Sequence, residues 1–235
     1  MTSLDQTVSV ITGAGGNLGE AVVQAFAEAG STLILIDLKA PEARAKEHGG
    51  TALAADLLDS GSAVEAIEAA HKVHGRIDHV VHLVGGFSYQ PAHEATDADY
   101  AKLFDLTVRT LFNVGRAALP ILRKQGSGLL AGVSAGQAFR GAGEGVALYA
   151  AAKAAVATWL KSVDLELEGT DVKVSVLYPM GVIDTEPNRF AMPGADRSAW
   201  IEPADLAASL VFAASTSRRG RLLELPVYPG RAKGA

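Results

Sequence analysis

Short apolar runs alternate with helix-like segments along almost the whole chain, and this alternation most limits the possible folds. Runs typical of β-strands are followed, after a turn, by segments whose apolar residues recur near the helical period. Such an order predicts a parallel sheet, with right-handed crossovers and helices on both faces. The predicted strands are 7–12, 32–36, 51–55, 77–84, 129–133, 172–177 and 222–227. The predicted helices are 17–29, 41–48, 62–74, 97–125 (with a slight break near Pro120), 148–168 and 203–214.

The length and composition favour one α/β domain over residues 1–235. The chain has 235 residues, 49% of them apolar, which is enough for a large core. Residues 181–200 differ in composition from the rest of the chain, because they carry prolines and mixed charges in place of a periodic apolar pattern. We expect this segment to be a mobile insert for the substrate, beyond the carboxyl ends of the strands, where ligands of open α/β sheets bind.

Several classes of protein are disfavoured by charge and residue usage. A net charge of −5 argues against a general nucleic-acid binder, and the chain has no cysteine for disulfides or thiolate catalysis. The first residues lack the basic and apolar regions of a signal peptide, and no apolar run is long enough to span a membrane. The six histidines do not form a ligand set with metal-binding spacing. We expect a cytoplasmic protein with no membrane partner and no metal.

A glycine-rich turn joins the first predicted strand to the first predicted helix. Gly13 permits a tight turn, Gly19 permits close packing of the helix on the strand, and Asn17 tolerates left-handed backbone. Backbone amides at such a helix start can bind a dinucleotide's pyrophosphate, although an ordinary glycine-rich turn is the alternative. The predicted cofactor contacts here are Gly13, Gly16, Asn17, Leu18 and Gly19.

Asp37 closes the second predicted strand, at the distance from the glycines where an acidic side chain binds adenosine ribose hydroxyls. Its charge would repel a 2′-phosphate, which predicts NAD rather than NADP, with Leu38 beside it. The alternatives are a surface-turn aspartate and a compensating charge from Lys39 or Arg44.

Two further strand ends are candidate cofactor contacts. Asp56-Leu57 follows the third strand and is predicted either to meet the adenine edge or to cap a turn. Val84-Gly85-Gly86 ends the fourth strand, where glycines let a flat ring lie close to the backbone or form a plain turn.

Tyr149 and Lys153 are the candidate acid–base pair. A spacing of four residues places both side chains on one face of a helix. A phenol has a pKa of about 10, and a nearby ammonium would favour its ionised form. A tyrosine packed at the surface and a solvated lysine are the alternatives.

These residues stand in the order seen in the short-chain dehydrogenase/reductase family, which the chain resembles over nearly its whole length. The resemblance rests on the glycine turn, Asp37, Asp56-Leu57, Val84-Gly85, the Tyr149–Lys153 pair and the loop 179–185. It implies a single-domain Rossmann fold, a doubly wound seven-stranded parallel sheet, with a nicotinamide cofactor and a homotetramer or homodimer. It also implies that Tyr149 is the general acid/base and that Lys153 binds the nicotinamide ribose and lowers the phenol pKa. Residues implied to border the carboxamide are Pro179, Val182 and Thr185.

Three departures from the family pattern affect the predicted chemistry. Thr107 stands where the family has an asparagine in its proton relay. Ala135 stands where the family has its carbonyl-polarising serine, so Ser134 is a substitute only if the loop shifts register. The loop 179–185 is about one residue longer than in the family. Part of the chain, including Ala135 and the segment after Asp184, is locally similar to dihydropteridine reductase, which lacks that serine.

The predicted function is hydride transfer between NAD(H) and a small molecule with a carbonyl, hydroxyl or quinonoid group. Tyr149 is the predicted general acid/base, assisted by Lys153, with Ser134 and Thr107 as further candidates. The alternative is a nucleotide-binding regulator or scaffold with a degenerate active site.

Overall fold

A computed structural model describes residues 3–231 and contains one seven-stranded, wholly parallel sheet. The spatial order of the strands is β3-β2-β1-β4-β5-β6-β7, which confirms the predicted doubly wound architecture. The ends of the predicted 1–235 unit, residues 1–2 and 232–235, lie outside the described residues. The strands are β1 (Val8–Thr12), β2 (Thr32–Asp37), β3 (Thr51–Ala54), β4 (His79–His82), β5 (Ser127–Val133), β6 (Asp171–Pro179) and β7 (Glu224–Val227).

Helices connect these strands and cover both faces of the sheet. The α-helices are α1 (Asn17–Glu28), α2 (Glu42–Glu47), α3 (Ser60–His74), α4 (Asp97–Phe104), α5 (Thr110–Gln125), α6 (Gly136–Arg140), α7 (Ala147–Glu166), α8 (Glu186–Ala191) and α9 (Pro203–Ser215). A short 3₁₀ helix spans Ala92–Glu94, and a π-helical segment spans Asp105–Arg109. Within residues 3–231, no helix is both long and apolar enough to cross a membrane.

Two apolar clusters, one on each face, hold the layers together. Phe26 of α1 and Leu206 of α9 are fully buried in one cluster, and Leu111 of α5 and Leu160 of α7 are buried in the other. All five residues of β1 are buried, because helices cover the strand from both sides. The same double burial fits the apolar run of residues 33–36 in β2, all four of which are buried.

The crossovers diverge on either side of β1 and β4, which are neighbours in the sheet. In open α/β sheets such a reversal leaves a crevice at the carboxyl ends of the strands, where ligands bind. The turn after β1 and the segment after β4 meet there, because a Cβ atom on Gly13 would lie 2.9 Å from the Val84 backbone nitrogen.

Several element boundaries differ from the sequence-based expectation. The fourth strand is only His79–His82, since its ladder ends where β1 turns away at Gly13. The predicted helix 97–125 is interrupted by the π-helical segment and continues through Pro120.

The insert 181–200 contains α8, which was not predicted. An ion pair between Asp184 and Arg189 (2.6 Å) lies within this segment, and a β-bridge joins Ile183 to Ile201, the residue that follows it. Its predicted mobility and its role in substrate binding stay predictions.

Candidate active site

The glycine-rich turn has the geometry that a tight strand-to-helix connection requires. Gly13 has a φ of +71°, and the Gly16 amide donates to the Gly13 carbonyl at 3.1 Å. A Cβ atom on Gly19 would lie 2.5 Å from the Ala14 carbonyl oxygen, so only glycine lets the helix approach the turn this closely. The left-handed backbone considered for Asn17 is wrong, because Asn17 is the first residue of α1 and Gly13 alone makes the left-handed bend within this turn. Leu18 follows Asn17 in the first turn of α1.

Asp37 contacts the glycine-rich turn directly. Its carboxylate accepts hydrogen bonds from the backbone amides of Gly15 (2.8 Å) and Leu38 (2.7 Å). A Cβ atom on Gly15 would lie 3.0 Å from that carboxylate, so a side chain at residue 15 would crowd the space beside Asp37. The acidic group is therefore placed beside the turn, as the spacing of the two motifs predicts.

Arg44 of α2 also holds the turn, a contact that sequence reasoning missed. Its guanidinium donates to the carbonyl oxygens of Ala14 and Gly16 and lies 3.7 Å from the Glu20 carboxylate. The only signal in the sequence is an arginine on a short helix soon after Asp37. Its position predicts only a possible compensating charge near Asp37, and nothing in the sequence indicates that Arg44 binds the turn.

The segment after β3 takes the turn-capping geometry. The Asp56 carboxylate accepts from the Leu58 amide at 2.9 Å, and the side chain is exposed. Leu57 is buried in the core, while Leu38 is 67% exposed at the end of β2. The predicted adenine contact of Asp56-Leu57 stays a prediction.

Tyr149 and Lys153 lie one turn apart on α7, and both are removed from bulk water. Tyr149 is half-buried, with the Phe87 ring edge-on at a centroid distance of 5.0 Å, and burial raises its pKa to about 12. Lys153 is buried, its Nζ donates to the Val133 carbonyl at 2.9 Å, and burial lowers its pKa to about 8. The phenol pKa thus moves opposite to the predicted direction, because desolvation of the phenolate is the dominant effect on it.

Thr107 and the segment after β4 come together beside Lys153. The Gly86 amide donates to Thr107 Oγ1 at 3.2 Å, and Thr107 is buried in the π-helical segment. A Cβ atom on Gly85 would lie 2.9 Å from Lys153 Nζ and 3.9 Å from Thr107 Oγ1. Val84-Gly85-Gly86 therefore links the glycine-rich turn to the acid–base pair, since Val84 contacts Gly13 and Gly85 contacts Lys153.

Ser134 faces the backbone of α7. It is buried, and its hydroxyl donates to the backbone carbonyl of Lys153 at 2.8 Å. Ala135, the next residue, is also buried and precedes α6. The one hydroxyl proton of Ser134 is used in this contact.

The loop after β6 follows the same carboxyl edge of the sheet. Pro179 is the last residue of β6, and the carbonyl of Val182 accepts from the Ile201 amide at 2.8 Å. Thr185 immediately precedes α8. Of the three residues implied to border the carboxamide, Pro179 therefore ends β6, and Val182 and Thr185 lie in the following loop, which is anchored at Ile201.

Comparison with known proteins gives a consistent result across the chain. A family model described as short chain dehydrogenase matches residues 7–193. An uncharacterized oxidoreductase of Staphylococcus aureus (strain USA300) is 26% identical over 97% of this chain and its whole length. The oxidoreductase UcpA of Escherichia coli (strain K12) is 31% identical over 76% of this chain and 70% of its own.

The solved structures agree with these sequence matches. The 3-ketoacyl-(acyl-carrier-protein) reductase from Brucella melitensis, solved in complex with NADH, superposes with a TM-score of 0.85. It is 26% identical and covers 96% of this chain and 98% of its own. The comparisons do not show the local similarity to dihydropteridine reductase, which supports no assignment of substrate here. Because the family model matches residues 7–193, which is most of the chain, this chain belongs to the short-chain dehydrogenase family of oxidoreductases.

Proposed function

We propose that this chain is an NAD(H)-dependent oxidoreductase that transfers hydride between nicotinamide and a small carbonyl, hydroxyl or quinonoid substrate. One observation carries the proposal: the segment 84–86 contacts the glycine-rich turn at Gly13 and the buried ammonium of Lys153 at Gly85. A dinucleotide held by the turn would thus have its reactive end directed toward the acid–base pair.

The turn and its surroundings fit a dinucleotide. Side chains are excluded where the backbone must approach a ligand, since a Cβ atom on Gly13, Gly15, Gly19 or Gly85 would come within 2.5 to 3.0 Å of neighbouring atoms. When bound, the nicotinamide supplies hydride, and the protein supplies geometry and the proton. Residues proposed to hold it are Gly13, Gly16, Asn17, Leu18, Gly19, Asp37, Leu38, Asp56, Leu57, Val84, Gly85, Gly86, Tyr149, Lys153, Pro179, Val182 and Thr185.

The proposed chemistry of the chain itself is proton transfer by Tyr149. A phenol with a pKa of about 12 keeps its proton at neutral pH, which supports a donor role when a carbonyl is reduced. Lys153 would keep a positive charge nearby and pair with ribose hydroxyls. Thr107 is buried beside Gly86 and is proposed to hold the segment 84–86 in place by accepting from the Gly86 amide.

Ser134 is proposed to support α7, since its hydroxyl proton is directed at the Lys153 carbonyl. In that case Tyr149 alone polarises the substrate oxygen, and already polarised groups, such as quinonoid or conjugated carbonyls, are the substrates that need the least further activation. A catalytic role for Ser134 would require its hydroxyl to leave that contact.

Replacement of Asp37 by alanine should narrow the affinity gap between NADH and NADPH. The Asp37 carboxylate, which accepts from the Gly15 amide, would repel a 2′-phosphate. Without it, the Arg44 guanidinium, which donates to the Gly16 carbonyl, would face less opposing charge. We expect the ratio of the two dissociation constants, measured by fluorescence titration, to fall roughly tenfold. Glu42→Ala, at an exposed position of α2, removes the same charge and should leave the ratio unchanged. A gap that survives Asp37→Ala would assign the selectivity elsewhere.

The second candidate is a nucleotide-binding regulator with a degenerate active site. The inward-facing Ser134 and the buried Ala135 favour it, because no hydroxyl from these residues is directed at a substrate. The test is an NADH titration, followed by NADH oxidation with an aliphatic ketone, an aromatic aldehyde, a 3-ketoacyl thioester and a quinone. Turnover of any class supports the enzyme, whereas binding without turnover across the panel supports the regulator. A failed NADH titration rejects both candidates.

We also propose a wider setting for this activity, in which only the subunit assembly is implied by the family. The chain would act as one catalytic unit over residues 1–235, with 181–200 as the loop that meets a small-molecule substrate. It would assemble as a homotetramer or homodimer in the cytoplasm. Sedimentation would measure the subunit number directly.

A further inference from the structure

A buried histidine lies between the glycine-rich turn and the π-helical segment. His82, the last residue of β4, is 2% exposed and makes hydrogen bonds with both ring nitrogens. Its Nδ1 lies 2.8 Å from Thr12 Oγ1, and its Nε2 lies 3.1 Å from Thr110 Oγ1. Thr12 immediately precedes Gly13, and Thr110 immediately follows the π-helical segment.

The direction of these hydrogen bonds follows from the single proton of the Thr110 hydroxyl. That hydroxyl donates to the Leu106 carbonyl at 2.7 Å, so it can only accept from His82 Nε2–H. His82 Nδ1 then accepts from the Thr12 hydroxyl. Burial and, to a lesser extent, the Lys153 charge lower the pKa of His82 to about 3, so the neutral ring that this pattern needs is the stable form.

The far end of this chain of hydrogen bonds reaches residues beside the acid–base pair. The Thr110 amide donates to the Asp105 carbonyl, five residues back, and the Thr110 hydroxyl donates to the Leu106 carbonyl, four residues back. An amide bond to the carbonyl five residues back is the defining bond of a π-helix, a widened turn often found at functional sites. Thr107, next to Leu106, accepts from the Gly86 amide.

We propose that His82 is a positioning residue for the hydride-transfer reaction, holding the π-helical segment and Thr107 in register with the glycine-rich turn. The inference rests on the proposed function, because it assumes that the turn binds the dinucleotide and that Lys153 and Tyr149 act on the substrate. If the π-helical segment tilted, Thr107 would move, and so would Gly86, whose amide donates to it. Gly85, which lies against Lys153 Nζ, would shift with them.

A second buried histidine on the same strand provides a matched control. His79 is 5% exposed, its Nδ1 lies 2.8 Å from Ser9 Oγ of β1, and burial lowers its pKa to about 4. Its ring packs edge-on against Phe26, on the opposite face of the sheet from α5. His79→Leu and His82→Leu therefore remove the same group from the same strand, but only His82→Leu disconnects the π-helical segment.

The test compares these two variants by steady-state kinetics, NADH binding and hydrogen exchange. We expect His82→Leu to lower kcat roughly 10- to 100-fold, as small misplacements of a catalytic group do, and to raise amide exchange over residues 105–111. NADH affinity should change less than threefold in both variants, and His79→Leu should keep kcat and the exchange of that segment. His82→Gln should recover most of kcat, because an amide supplies one acceptor and one donor.

Several results would overturn the inference. Equal kcat losses in the two leucine variants, or unchanged exchange over 105–111 in His82→Leu, would reduce His82 to a core residue. If His82→Leu does not fold, Thr110→Val breaks the same chain with little change in shape, and wild-type kcat and exchange there would equally reject the role. A wild-type protein that binds NADH without turnover would reject the proposed function, while the exchange comparison would still decide whether His82 holds the segment.

Discussion

Replacing Tyr149 with phenylalanine should leave NADH binding intact and remove most turnover. The change deletes one oxygen from a half-buried ring and leaves the edge-on contact with Phe87 in place. General acid–base catalysis by a positioned side chain contributes roughly 10²- to 10⁴-fold in rate, and we expect a loss of this size in kcat. Stopped-flow measurement of NADH oxidation at saturating substrate, together with an NADH titration, checks both parts.

Ser134→Ala is the matched comparison, since it also removes one hydroxyl beside the same helix. Its hydroxyl donates to the Lys153 backbone carbonyl, so the cost should be a small loss of stability and far less loss of kcat. Equal kcat losses in the two variants would restore Ser134 to the catalytic set. Near-wild-type activity of Tyr149→Phe with a true substrate would reject the proposed role of the tyrosine.

The parts of the site that could be predicted from the sequence depend on local backbone geometry. A turn that needs positive φ and a close helix approach admits only glycine, and Gly13 and Gly19 occupy those positions. The four-residue spacing of Tyr149 and Lys153 puts both side chains on one side of α7 in any helix. The parallel sheet with helices on both faces follows similarly from the alternation of strands and helices and from the handedness of crossovers.

The parts that could not be predicted depend on contacts between distant segments. The π-helical segment is hydrogen-bonded through Thr110, which also contacts His82, and no periodicity in residues 97–125 reveals these contacts. The inward orientation of Ser134 depends on where α7 packs against β5. The raised pKa of Tyr149 results from burial, whereas spacing alone predicts only the attraction of the nearby ammonium.

Lys153→Met should abolish most activity and yet stabilise the protein at neutral pH. The ammonium is buried, and its burial lowers the pKa from 10.5 to about 8. A shift of this size corresponds to roughly 3 kcal/mol by which the folded state disfavours the charged lysine. Methionine removes that penalty but leaves the Val133 carbonyl without its donor, which costs about 1 to 3 kcal/mol. A net gain of about 1 kcal/mol would raise Tm by roughly 2 to 4 °C.

The pH dependence separates this explanation from better core packing. Between pH 8 and 10.5 the unfolded chain binds a proton at Lys153 that the folded chain has lost, so the contribution of Lys153 to wild-type stability rises with pH across that window. The gain in stability of Lys153→Met over the wild type should therefore be largest below pH 8 and disappear as the pH approaches 10.5. There the only remaining difference is the missing hydrogen bond to the Val133 carbonyl. Lys161→Met, on the exposed side of the same helix and paired with Glu224, should keep kcat and show no such window. A Tm difference that is constant from pH 7 to 10.5, or retained turnover in Lys153→Met, would contradict the buried charge and its proposed role.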